Sequence, residues 1–145
     1  MYWSVGQAGQ GWCGLVRGEA GLTRCTLPLS DRESAAAVVS LEAAEISSDD
    51  LLDEAAQLLR AYYRGERVSF RLPLAPAQMT EFGEAVLRAC AEIDYGVTCT
   101  YGELAAAVGA PRAARAVGQA LGRNPLPVIV PCHRVIGSDG RSKFP

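Results

Sequence analysis

No stretch of this chain holds the roughly 18 consecutive apolar residues that a membrane-spanning helix needs. Its start also lacks the charged-then-apolar pattern of a secretory leader, so a cytoplasmic protein is the expectation. Histidine is nearly absent. His133 is the only one, and it directly follows a cysteine instead of standing at ligand spacing, which argues against zinc. The five cysteines (Cys13, Cys25, Cys90, Cys99 and Cys132) contain no C-x-x-C pair and no regular framework, so free thiols are expected. An overall excess of positive charge is missing as well: the net charge is −2. Its distribution is uneven, however. From Leu104 onward Arg112, Arg115, Arg123, Arg134, Arg141 and Lys143 face a single acid, Asp139, so the last 42 residues carry +5 and the first 103 carry −7. A polyanion-binding end on an acidic carrier has this footprint, and so does a solvated face with chance clustering.

What is present is ordinary globular material: 145 residues, 49% hydrophobic and 21% charged, enough for one large domain or two small ones. The first third reads as strands and turns. Residues 12–16 and 21–27 flank Gly18-Glu19-Ala20 as a hairpin. Ser47-x-x-Asp50 opens a helical stripe from Leu51 to Tyr63 that Gly65 ends. Val68, Phe70 and Leu72 alternate as a short strand, and Pro73 and Pro76 place a domain boundary near Ala75. Beyond it Thr80 caps a helix carrying Phe82, Val86, Leu87, Cys90 and Ile93 at helical spacing. Thr100-x-x-Glu103 is a capping box for a short helix ending before Gly109. Pro111 suits the first turn of another helix, from Arg112 to Leu121. The two short helices form a helix-turn-helix pattern or an ordinary helical hairpin.

The second of these helices shifts the weighing between them. Apart from its arginines, Val117 and Gln119, residues 112–120 are Ala and Gly, whereas a buried packing helix carries Leu or Ile at core positions. Small side chains let a backbone approach something flat or narrow, and Arg115 is the one long reach. That suits a DNA minor groove and an unstacked base pair better than major-groove readout, which needs several long polar side chains.

Residues 128–130, all apolar, read as a short strand leading to Pro131-Cys132-His133-Arg134-Val135-Ile136. A free thiol is only a few per cent ionised at neutral pH, and a neighbouring histidine can draw off its proton. Adjacent side chains diverge in extended structure, so a water between Cys132 and His133 is the fitting geometry. Asn124, at a turn, is placed to hold the loop through backbone hydrogen bonds. The competing reading makes Cys132 a core thiol. A Cys-His hydrolase would further need a cleft and an orienting partner that the sequence does not supply.

Taken together, Tyr101-Gly102-Glu103-Leu104-Ala105, Ala113-Ala114-Arg115-Ala116-Val117-Gly118, Asn124-Pro125 and Pro131-Cys132-His133-Arg134-Val135-Ile136 resemble the O6-alkylguanine-DNA alkyltransferase (methylated-DNA–protein-cysteine methyltransferase) family. The resemblance implies an α/β protein with an RNase H-like N-terminal domain, residues 1–75, and a winged-helix DNA-binding domain, residues 76–145. It implies irreversible, cofactor-free transfer of an alkyl group from guanine O6 in double-stranded DNA to Cys132, with no metal and no membrane partner, in a monomer. His133 would deprotonate Cys132 through a water and Asn124 would brace the turn. Tyr101 would press on a phosphate, and Arg115 would fill the vacated place in the stack. Ala114, Gly118 and Arg123 would complete the DNA face, and Pro127 and the backbone around Val135 would line the base pocket.

The chain departs from the family pattern after Gly140. A glycine-rich segment and a last helix with a relay glutamate are expected there, and residues 141–145 read Arg-Ser-Lys-Phe-Pro. Two readings therefore stand at this point: a single-turnover repair protein, or an impaired, lesion-binding relative.

Overall fold

The computed structural model of the chain describes residues 1–45 and 49–140. Ser47, Arg141 and Lys143, together with the departure at 141–145, lie outside them. Two compact units are present, residues 1–77 and 78–145, with the division two residues beyond the expected Ala75.

The first unit is built on a meander. Strand β1 (Tyr2–Ala8) turns through Gly9-Gln10 into β2 (Gly11–Arg17), which pairs antiparallel with β3 (Leu22–Cys25). Gly9 takes φ 61° in the two-residue turn, a conformation glycine adopts without a Cβ penalty. Strand β4 (Ala44–Glu45) lies parallel to β1, giving the order β3-β2-β1-β4. Helices cover both faces. A Cβ added at Gly14 would meet Val39 of α1 (Arg32–Val39), and one added at Gly6 would meet Ala56 of α2 (Asp50–Tyr63). Gly14 pairs with Val5 and Gly6 with Cys13, so these glycines point to opposite sides of the sheet. Burial on both faces explains why Cys13, Gly14, Leu15 and Val16 form an unbroken buried run instead of an alternating one.

Three expectations are corrected here. The first third holds a helix as well as strands: α1, whose cap Asp31 accepts from the Ser34 N–H at 2.6 Å. Helix α2 is capped by Asp49, which accepts from Leu52 N at 3.0 Å and also receives Arg17 Nη1 at 3.1 and 3.0 Å. Residues 68–72 keep the alternation of exposure but form no ladder. Pro73 and Ala75 bind Leu22 instead, with Leu22 N on Pro73 O at 2.9 Å and Ala75 N on Leu22 O at 2.7 Å. Proline cannot donate to a ladder, so this edge closes with isolated bonds.

The second unit is a helical cluster. Thr80 caps α3 (Glu81–Ala91), whose Val86, Leu87 and Cys90 are fully buried. The expected capping box is complete: Thr100 accepts from Glu103 N at 3.0 Å and Glu103 accepts from Thr100 N at 3.3 Å. It opens α4 (Tyr101–Ala107), which directly follows β5 (Cys99–Thr100). Gly109 then takes φ 79°, with Ala110 N on Ala105 O and Gly109 N on Ala106 O, the paired bonds of a left-handed helix stop. Helix α5 (Ala114–Gly122) starts two residues later than expected. Pro111 and Arg112 form a tight turn closed by Ala113 N on Ala110 O at 2.9 Å, and proline's fixed φ serves the second position of such a turn. Helices α3 and α4 pack against α5, burying its Val117, Ala120 and Leu121.

Candidate functional site

The segment after α5 is a turn, not the strand expected at residues 128–130. Val130 N bonds Leu126 O at 2.8 Å, Pro127 and Val130 bridge, and Val128 sits between them at φ 73°. A β-branched residue pays about 1–3 kcal/mol for that conformation, so the surroundings must impose it. Asn124 supplies much of the constraint. Its Nδ2 donates to Val130 O at 3.1 Å and its Oδ1 accepts from Leu126 N at 2.9 Å.

The turn delivers the chain into a short 3-10 turn, Cys132–Arg134, held by Cys132 N on Val130 O at 2.8 Å and Arg134 N on Pro131 O at 2.9 Å. The expected extended backbone at Cys132-His133 is thus replaced by a helical one. Successive side chains then leave the axis about 120° apart, so the two still diverge. Strand β6 (Val135–Ile136) follows and pairs parallel with β5, Cys99 opposite Val135 and Thr100 opposite Ile136. This ladder sets the thiol-bearing turn beside the start of α4.

Cys132 is 9% exposed. Burial pushes its thiol up from the ordinary value, opposed by hydrogen bonding from Asn124 and from the backbone N–H groups of Cys132 and His133. His133 is half-buried, and burial followed by the charge of Arg134 holds its imidazole below the ordinary value. Near pH 7 the pair is therefore a neutral thiol beside a neutral imidazole, the protonation state a base needs.

Alkylation of Cys132 by a small uncharged reagent is accordingly expected to rise about tenfold per pH unit from 6 to beyond 8, following thiolate. A plateau below pH 8, read by peptide mass spectrometry, would contradict the raised thiol. The linkage for His133 runs the other way. Its folded value lies below 6.5, so the unfolded chain binds the proton first, and the stability contributed above pH 6.5 is lost as pH falls below it.

The other expected residues fall into two groups. Arg115 and Arg123 are exposed, on and just beyond α5, with Gln119 and Ala116 also facing solvent. Tyr101 is 9% exposed, and its ring lies 3.7 Å from where a Cβ on Gly118 would stand. Part of the smallness of α5 thus serves its contact with α4. Ala114 and Pro127 are half-buried, and Val135 is fully buried.

Arg134 belongs by sequence to the basic end, but its guanidinium turns inward. Nη1 donates to Ile93 O at 2.6 Å, and the group lies 5.6 Å from the centroid of the Tyr95 ring. Nothing in sequence spacing links residues 93–95 to 134, so this contact was not legible there. Among the described residues no group of three or more His, Cys, Asp or Glu side chains is placed to hold a metal ion, and no helix is long and apolar enough to cross a membrane.

The model of the 6-O-methylguanine DNA methyltransferase DNA-binding domain matches residues 81–144. A methylated-DNA–protein-cysteine methyltransferase of Methanosarcina barkeri is 50% identical over 103 residues, 71% of this chain and 65% of its own length. The constitutive enzyme of that name from Bacillus subtilis is 52% identical over 88 residues, 61% of this chain and 53% of its own length. The chain thus spans less than two thirds of these curated relatives. The crystal structure of Mycobacterium tuberculosis OGT in complex with DNA superposes with a TM-score of 0.79 at 33% identity, covering 100% of this chain and 84% of that one.

Proposed function

The chain belongs to the methylated-DNA–protein-cysteine methyltransferase family, and on that premise we propose that it repairs DNA by moving an alkyl group from guanine O6 to its own Cys132. In the step the bond from the alkyl carbon to O6 breaks and a sulfur–carbon bond forms. The thiol proton passes by way of a water to His133, and the departing purine takes up a proton to become guanine. The thioether is stable, so in this reading each molecule acts once and the transfer needs no cofactor.

One observation carries the proposal: Asn124, bonded to Val130 O and Leu126 N, and the 3-10 turn together hold Cys132 next to His133, and hydrogen bonding from Asn124 and the backbone counters the burial that raises the thiol. Donors already in place where negative charge develops lower the barrier without reorganisation. The meander with β4 parallel to β1, helices on both faces, supports the RNase H-like description of the first unit. The α4–α5 pair and the β5–β6 ladder support a winged helix. Double-stranded DNA lies against the exposed side of α5 in this reading. Arg115 fills the gap left by the extruded base, Tyr101 presses on a phosphate, Arg123 meets phosphate, and Ala114 and Gly118 form the closely approached surface between them. Pro127 and Val135 border the base.

The test is intact-protein mass spectrometry after incubation with a duplex containing O6-methylguanine. One methyl group per chain, mapped to Cys132, is expected. DNA bound with Cys132 unmodified at long times would replace this reading by lesion binding without chemistry.

Arg115→Ala is expected to weaken capture of the extruded base about tenfold or more, since unstacking costs a few kcal/mol that the side chain offsets. Overall association should fall only two- to threefold, roughly one phosphate-range charge. Equal loss in base-analogue fluorescence and in total binding would remove the wedge role.

A further inference from the structure

The turn that carries Cys132 has an anchor on each side. Upstream, Asn124 holds Val130 O. Downstream, Arg134 Nη1 holds Ile93 O at 2.6 Å while its guanidinium lies over the Tyr95 ring. Ile93 stands two residues past α3, and its own N–H bonds Cys90 O at 3.1 Å. The guanidinium therefore ties the turn to the end of α3, where carbonyl groups carry partial negative charge and favour a cation. Only a planar fork donates in its plane while stacking on an aromatic face. Arg134 is also half-buried, unlike the exposed Arg115 and Arg123.

We propose that Arg134 is a positioning residue for alkyl transfer: by clamping the 3-10 turn to Ile93 and Tyr95 it fixes where the Cys132 sulfur points, without touching the base. This rests on the alkyl-transfer reading above. A small displacement of a reacting atom can cost on the order of 10²-fold in rate, so the clamp is expected to act on the chemical step and not on DNA affinity.

The experiment measures the single-turnover methyl-transfer rate at saturating O6-methylguanine duplex, with DNA affinity and its salt dependence, for the full chain and for R134M, R134K and Y95L. Arg134→Met should slow transfer at saturation by about tenfold to 10²-fold, with affinity within about twofold and an unchanged salt slope. Arg134→Lys, which keeps one charge-assisted bond but not the fork, should recover part of the rate. Tyr95→Leu should lose about two- to threefold, since only the stacking goes. A wild-type rate at saturation in R134M overturns the proposal. So does a loss that sits wholly in affinity with the salt slope reduced by about one, which would mark a phosphate contact. If R134M does not fold, the ordering of R134K and Y95L against wild type decides, and wild-type rates in both overturn it. If the wild-type protein itself leaves Cys132 unmethylated, the proposed function fails separately. Chloroacetamide alkylation of Cys132, mapped by peptide mass, then reads the clamp: an altered rate in R134M with recovery in R134K supports it, and equal rates overturn it.

Discussion

Cys132→Ser is expected to reduce methyl transfer by at least ~10⁴-fold, to the detection limit, while binding of O6-methylguanine duplex stays within about threefold of wild type. A serine hydroxyl is far less acidic than a thiol, and the neutral His133 cannot ionise it. The other cysteines do not substitute. Burial pushes the Cys13 thiol up to about 11 and the Cys90 thiol up to about 12, and places Cys25 well above the ordinary value. Cys99 is less buried, but burial and then the Glu103 carboxylate both raise it. Among these thiols Cys132 is distinguished by side-chain and backbone donors that oppose its desolvation. Stability should fall by about 1–2 kcal/mol, the cost of one half-satisfied hydroxyl at a nearly buried site. Methyl transfer to another cysteine in the variant, detected by peptide mapping, would contradict the assignment.

Asn124→Ala has the next largest expected effect: transfer slowed on the order of 10²-fold, with about 1–3 kcal/mol lost from the unfolding free energy. The amide is used from both ends. Nδ2 donates to Val130 O and Oδ1 accepts from Leu126 N, and hydrogen bonding from the side chain counters the burial that raises the Cys132 thiol. Alanine removes all three contacts and frees the turn that holds Val128 at φ 73°. Asn124→Asp separates the two roles. It keeps the acceptor for Leu126 N but replaces the donors by a carboxylate beside the developing thiolate, so it should spare stability better than alanine and transfer no better. Stopped-flow transfer rates and urea midpoints for the two variants decide this, and a fast Asn124→Asp protein would remove Asn124 from the stabilisation of the sulfur.

Legibility in the sequence followed the range of the interactions. The capping box at Thr100 and Glu103, the helix stop at Gly109 and the cap at Thr80 are local, each decided within a few residues, and the structure contains all three. Helix α1 is short and its apolar residues are mostly alanine, which favours a helix but gives a weak hydrophobic stripe, leaving the cap Asp31 and the first-turn acid Glu33 as its local signs. The segment at 128–130 misled for the opposite reason. Its β-branched residues favour extended backbone on their own, and it is Asn124 and the Leu126–Val130 bond that turn it. Residues 68–72 kept a strand's alternation without a strand's partner.

The sequence by itself determined the chemistry available: one histidine, one cysteine beside it, an asparagine at a turn, and a small-residue helix with an exposed arginine. These are matters of composition and short spacing, and they sufficed to point to the family. Only the tertiary structure decided how Cys132 is held. The ladder from Cys99 to Val135 and the inward turn of Arg134 to Ile93, which flank the 3-10 turn, join residues 36 and 41 positions apart in the chain. Such contacts form when packing brings distant segments together, and no local pattern encodes which carbonyl a guanidinium will find.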